Sequence, residues 1–153
     1  MSRRVAYTNV RLLDPASGLD AKGALLTEGE LIADLGPGLF ADGVPSGIDE
    51  VIDGRGLALM PGLIDMHASL REPGFEHQET IATAARAAAA GGVTTIVATP
   101  DTDPPIDNVA LVEFVARRAR ETAAVRILPM ACATQDRGGE RMVEMGLLAE
   151  AGA

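Results

Sequence analysis

Between residues 57 and 151, short apolar segments alternate with segments of helical character, and this alternation limits the fold more than any other feature. The apolar segments suit buried strands, and the segments between them place apolar residues at helical spacing. In chain order the six segments are 57–66, 79–90, 93–98, 108–122, 125–131 and 140–151. Strands that alternate with helices form parallel sheets with right-handed crossovers, so we expect an α/β fold.

The preceding residues follow a different pattern, with short apolar runs, frequent turn residues and no helical period. Strands are predicted at 5–13, 23–27 and 31–35, separated by turn-forming sequences. We therefore expect a small β domain at 1–55 and an α/β domain at 56–153.

Composition excludes several classes of function. The formal net charge is −9 and the isoelectric point is about 4.6, which argues against nucleic-acid or anionic-membrane partners. A single cysteine, Cys132, allows no internal disulfide and fits a reducing, cytoplasmic setting. No apolar run reaches the roughly 18 residues that a membrane-spanning helix needs.

In parallel α/β folds, chemistry takes place at the carboxyl ends of the strands. The segments that follow the three predicted strands are 65–74, 99–107 and 131–139, and the first two carry unusual polar residues. Residues 61–74 read P-G-L-I-D-M-H-A-S-L-R-E-P-G, and residues 100–107 read P-D-T-D-P-P-I-D. We therefore expect the functional side chains to lie in these two segments.

These two segments resemble the dihydroorotases, whose patterns are P-G-x-x-D-x-H-x-H-L-R-E-P-G and P-N-T-x-P-x-x-D. The resemblance spans nearly the whole chain, and the L-R-E-P-G block is its most specific part. It implies an amidohydrolase TIM (β/α)8 barrel, of which about the first three β/α units are present, preceded by a small β-sandwich segment. A compact three-layer α/β domain is the alternative that the residues leave open.

The resemblance implies a zinc site in which His67 is the first metal ligand, with Asp65 as a weaker candidate. Two histidines at alternate strand positions would point the same way and share one metal. Here the second position is Ser69, and a neutral hydroxyl is a poor zinc ligand beside imidazole. Zinc is the cofactor that the resemblance implies, and Ser69 predicts a degenerate site in which zinc is either retained or lost.

The resemblance also implies that Arg71 binds the substrate carboxylate, for which a guanidinium fork is well suited. Asp101 stands where the family has an asparagine that helps to hold the same carboxylate. An aspartate there places two negative charges together, which opposes binding. The family's remaining ligands and its aspartate general base are expected further along, so no catalytic residue is predicted within residues 1–153, and this chain alone is predicted inactive.

Simpler roles also fit several of these residues. His67 could be a buried structural histidine with one hydrogen bond, and Arg71 could form a local ion pair with Glu72. Asp107 is predicted to be the N-cap of the helix at 108–122. The methionines at 60, 66, 130, 142 and 145 are predicted to fill the core.

Three functions are consistent with these observations. One is a zinc dihydroorotase of de novo pyrimidine synthesis, which interconverts dihydroorotate and N-carbamoyl-aspartate. A second is a non-catalytic scaffold or regulatory partner of aspartate carbamoyltransferase, which the altered Ser69 and Asp101 favour. Another cyclic amidohydrolase, such as a hydantoinase or allantoinase, is the third, and the L-R-E-P-G block argues against it. A partial barrel would expose strand edges and apolar helix faces, so we also expect aggregation, an oligomer or a missing remainder of the barrel.

Overall fold

The computed structural model describes residues 2–153, which divide into two compact units, 2–61 and Gly62–Ala153. The expected change from β to α/β organisation lay at 55/56, six residues earlier. The difference arises because the short strand at Ala58–Leu59 pairs with a strand of the first unit. Within the described residues, no helix is long and apolar enough to cross a membrane.

The first unit contains one five-stranded sheet. Its strands are β1 (Arg4–Asp14), β2 (Leu19–Glu28), β3 (Leu31–Gly36), β4 (Glu50–Asp53) and β5 (Ala58–Leu59). The order is β3-β2-β1-β4, with β5 also beside β1; β1 and β2 are antiparallel, whereas β4 and β5 run parallel to β1. The three predicted strands are confirmed. A sandwich requires a second packed sheet, so that implication of the family resemblance stays a prediction.

The second unit alternates strands and helices as predicted. Its elements are β6 (Leu63–Ala68), α1 (Ile81–Ala90), β7 (Val93–Ala98), α2 (Val109–Thr122), β8 (Arg126–Pro129) and α3 (Met145–Glu150). The three strands form a parallel sheet in the order β6-β7-β8. Ile81, Val112 and Val115 are fully buried in the core that α1 and α2 share with the sheet. The α/β class is therefore confirmed.

The interpretation of residues 57–66 as one strand buried on both faces is wrong. The segment is divided between β5 and β6, and Leu63, Ile64 and Met66 of β6 are exposed, with 48%, 63% and 73% of their surface accessible. The reason is that these side chains lie outside the core of the second unit, against which β6 packs only its last residue, Ala68. The methionine prediction fails as well, since all five of those side chains are substantially exposed.

Two helix boundaries also differ from the predictions. The N-cap of α2 is Asn108, whose side chain accepts a hydrogen bond from the Leu111 amide at 3.1 Å; Asp107 instead accepts one from the Asp136 amide at 2.8 Å. The final helix is only Met145–Glu150, because the preceding residues form bends and an isolated bridge, and Val143 donates to the Ala133 carbonyl. Local sequence does not reveal these longer-range partners.

Candidate functional site at the carboxyl ends of the parallel strands

The end of β6 presents His67 to solvent. The side chain is exposed, so the interpretation of a buried structural histidine is wrong. The carboxylate of Asp65 accepts a hydrogen bond from the backbone amide of His67 at 3.0 Å. Asp65 is therefore engaged by its own strand, and one of its oxygens is not free to act beside the imidazole.

Ser69 and Asp101 come together although they lie on different loops. The backbone pairing of β6 with β7 continues past the strand ends, since the Thr99 amide donates to the Ala68 carbonyl at 3.0 Å. This pairing brings the Ser69 hydroxyl within 2.6 Å of the Asp101 carboxylate, to which it donates a hydrogen bond. The Thr99 hydroxyl donates to the other carboxylate oxygen at 2.5 Å. Both oxygens of Asp101 thus accept hydrogen bonds from hydroxyl groups.

Arg71 completes this cluster. Its guanidinium lies 3.6 Å from the Asp101 carboxylate, an ion pair that is longer than a hydrogen bond. Partial burial alone would raise the pKa of Asp101, but the hydrogen bonds from Ser69 and Thr99, together with the charge of Arg71, hold that pKa below its ordinary value. Asp101 is therefore ionised at neutral pH, and its charge is balanced within the protein.

Glu72 turns away from this cluster into the core, so the predicted local ion pair between Arg71 and Glu72 is wrong. The Glu72 side chain is only 4% exposed; it accepts hydrogen bonds from the Arg118 guanidinium at 2.7 Å and from the Ile81 amide at 2.9 Å. Arg118 belongs to α2. Nothing in the sequence around Glu72 identifies this partner 46 positions away.

A cavity of about 210 Å³ opens beside these groups. It is lined by His67, Thr99, Pro100, Asp101, Met130 and Arg137. Arg137 lies in a single turn of 3-10 helix at Gln135–Arg137 after β8, in a left-handed conformation with φ of 57°. The sequence marked 131–139 as a strand-end segment but did not single out Arg137, because nothing local distinguishes it from a surface arginine.

The donor set does not fit a zinc ion. Within residues 2–153, no three side chains of His, Cys, Asp or Glu lie close enough together to hold a metal. Ser69 already donates its proton to Asp101, and Asp65 is bonded to its own backbone. Cys132 is buried with its sulfur 3.8 Å from the Pro100 carbonyl, and this burial raises the pKa of its thiol. His67 is thus the one conventional ligand of this cluster among the described residues.

Comparison of the chain with models of known protein families identifies its family. The family model described as dihydro-orotase-like matches residues 56–153, about two thirds of the chain. The chain belongs to the dihydroorotase-like family. Membership confirms the resemblance carried by the two strand-end segments and agrees with the inference that the L-R-E-P-G block disfavours a hydantoinase or allantoinase.

Curated relatives in this family are similar over nearly the whole chain. A dihydroorotase of Wolbachia from Brugia malayi (strain TRS) is 53% identical over 150 residues, covering 98% of this chain and 33% of the relative. A dihydroorotase of Ehrlichia chaffeensis is 50% identical over 149 residues, again covering 33% of the relative. The dihydroorotase-like chain therefore spans about one third of the length of these relatives.

Solved structures with a similar fold are named hydantoinase or dihydropyrimidinase. The L-hydantoinase of Arthrobacter aurescens superposes with a TM-score of 0.75 at 22% identity, covering 88% of this chain and 28% of that one. The dihydropyrimidinase of Brevibacillus agri NCHU1002 gives 0.69 at 26% identity, covering 86% and 27%. These likenesses support an amidohydrolase type of α/β fold.

Proposed function

We propose that this chain supplies the first β/α units of a dihydroorotase-like amidohydrolase barrel of pyrimidine biosynthesis, in the cytoplasm, with a site that no longer holds zinc. By family, the substrates are dihydroorotate and N-carbamoyl-aspartate. His67, Asp65 and Ser69 occupy the metal positions, and Arg71 and Asp101 occupy the substrate positions. The chain itself does not hydrolyse the ring amide.

The hydrogen bond between Ser69 and Asp101 carries this proposal. Both residues depart from the family pattern, and they bind each other at 2.6 Å. A hydroxyl that donates to an ionised carboxylate is not available as an anionic or imidazole-like ligand to zinc. We infer that the hydrogen-bonded pair of Ser69 and Asp101 takes the place of the histidine ligand that the family pattern has at position 69.

The charge at Arg71 supports the same conclusion. In the family its guanidinium is expected to bind the substrate carboxylate, whereas here it faces the ionised Asp101 at 3.6 Å. An incoming carboxylate must displace Asp101 or approach it as a like charge, and either is unfavourable in a partly buried site. Dihydroorotate binding is therefore expected to be weak.

Zinc content is the first test. We expect the purified chain to contain far less than one zinc per chain by elemental mass spectrometry, and His67→Ala to leave that value unchanged. Ser69→His combined with Asp101→Asn should raise zinc content, because it adds an imidazole and removes the hydrogen-bond acceptor of position 69. Stoichiometric zinc in the unaltered chain that is lost in His67→Ala would overturn the proposal.

A second candidate is a scaffold or regulatory partner of aspartate carbamoyltransferase. The observation that favours it is the set of uncovered apolar side chains on β6, since large exposed apolar patches mark interaction sites. Co-purification of the two proteins, weakened by Ile64→Glu, would support this role. A mixture in which native mass spectrometry shows only separate species would count against it.

A further inference from the structure

Glu72 is buried beside the site yet touches none of the cavity-lining residues. One of its oxygens accepts from the first amide of α1, at Ile81, and the other from Arg118 of α2. The neighbouring residue in sequence, Arg71, points the opposite way toward Asp101. Glu72 thus fixes the loop that carries Arg71 to two helices at once.

The same loop is fixed on its other side. The Asp103 amide donates to the Pro73 carbonyl at 3.1 Å, and a Cβ placed on Gly74 would lie 2.1 Å from the Asp103 carbonyl oxygen. Only glycine therefore allows this approach of the loop to the segment that carries Asp101. Arg71 itself has a left-handed backbone with φ of 63°, which an arginine adopts only where its surroundings impose it.

From these contacts we infer that Glu72, held by Arg118, is a positioning residue for Arg71. The buried ion pair sets the backbone from which the Arg71 guanidinium reaches Asp101. A carboxylate buried to this degree needs a cationic partner, so the loss of Arg118 displaces Glu72 and the loop with it. The inference rests on the proposed role of Arg71 at the site, but it is tested by a measurement that does not involve zinc.

The test compares how fast phenylglyoxal modifies Arg71, measured by peptide mass spectrometry, in folded variants. Arg118→Met should speed modification of Arg71 by roughly two- to fivefold, the range of protection that a partly exposed ion pair provides. Asp101→Ala gives the rate for an unpaired Arg71. Arg117→Met, which removes an exposed neighbour on the same helix, should leave the rate unchanged, and Arg118→Lys should restore part of the protection.

If the Glu72–Arg118 pair only stabilises the fold, its loss should not change the rate at which Arg71 is modified. If Arg118→Met lowers the melting temperature but Arg71 reacts at the unaltered rate, the positioning role is overturned. Should Arg118→Met fail to fold, Glu72→Gln decides, because glutamine keeps an oxygen for the Ile81 amide but loses the charge. In that variant faster modification of Arg71 supports the inference, and an unchanged rate refutes it. If the unaltered chain binds zinc but the Arg118 and Glu72 variants speed modification of Arg71, only the proposed function is overturned. The positioning role of Glu72 then stands.

Discussion

At the scale of single residues, the cluster around Asp101 explains why two departures from the family pattern occur together. Asp101 accepts hydrogen bonds from Ser69 and Thr99 and faces Arg71, so its charge is satisfied without a metal or a ligand. Ionised acceptors form stronger hydrogen bonds than neutral ones. The cluster should therefore contribute to the stability of the fold.

Removal of the Ser69 hydroxyl tests that contribution. We expect Ser69→Ala to lower the free energy of unfolding by about 1 kcal/mol, the usual net value of one hydrogen bond, in chemical denaturation at pH 7. Ser46→Ala, at an exposed serine of the first unit, serves as the control and should change little. Equal effects from the two variants would show that the Ser69 bond does not stabilise the fold.

The charge of Asp101 gives a dependence on pH. Its pKa is lowered in the folded state, so its ionised form stabilises the fold at pH values above the unfolded pKa, and this contribution is lost as pH falls through the folded pKa. Asp101→Asn should therefore destabilise the protein at pH 7, and the difference from the unaltered chain should shrink at about pH 3. A difference that grows toward acid pH would contradict this assignment.

The sequence alone was sufficient to locate the site residues, but it could not predict which side chains they contact. The motif letters identified Arg71 and Asp101 as site residues, whereas the partner of Glu72 lies 46 positions away on α2. Hydrogen-bond partners depend on how loops from different strands meet, and no periodic pattern records that. Arg137 was missed for the same reason.

At the scale of elements, the alternating pattern predicted α1, β7, α2 and β8 correctly because apolar periodicity reflects burial against the sheet. It failed where a tertiary contact decides the boundary. The segment before α3 is not helical because Thr134 pairs with Met142 as an isolated β-bridge, which no local propensity indicates. At the start of α2 two adjacent capping residues compete, and only geometry shows which of them caps the helix.

Substitutions of Asn108 and Asp107, the two candidates for the N-cap of α2, should have different effects on amide exchange. Asn108→Ala should cost about 1 kcal/mol of stability and accelerate amide hydrogen exchange at Leu111, whose amide loses its acceptor. Asp107→Ala should instead accelerate exchange at Asp136 and leave Leu111 protected. Nuclear magnetic resonance of the two variants separates these outcomes. Faster exchange at Leu111 in Asp107→Ala would mean that the assignment of the cap is wrong.

At the scale of the whole molecule, each unit has its own buried cluster, and both units leave large apolar side chains exposed. The alternation of elements was sufficient to predict the class of the second unit. It could not predict that side chains of β6 would be uncovered, because a continuous apolar run is typical of a strand buried on both faces. Strand order is a property of the assembled sheet.

The uncovered face of β6 should promote self-association. We expect sedimentation velocity to show oligomers that increase with protein concentration, and Ile64→Glu with Met66→Glu to shift the distribution toward monomer. Ala87→Glu with Ala110→Glu adds the same charge at exposed helix positions and should not have this effect. A monomer at all concentrations would contradict the expectation of an oligomer.

The bond between Ser69 and Asp101 also bears on how such a site can change over generations. A single change of Ser69 to histidine places an imidazole beside a carboxylate that will compete with a metal for it, and a single change of Asp101 to asparagine leaves only a serine hydroxyl at the ligand position. Neither step alone recreates the family arrangement. The two positions are therefore expected to be inherited as a pair.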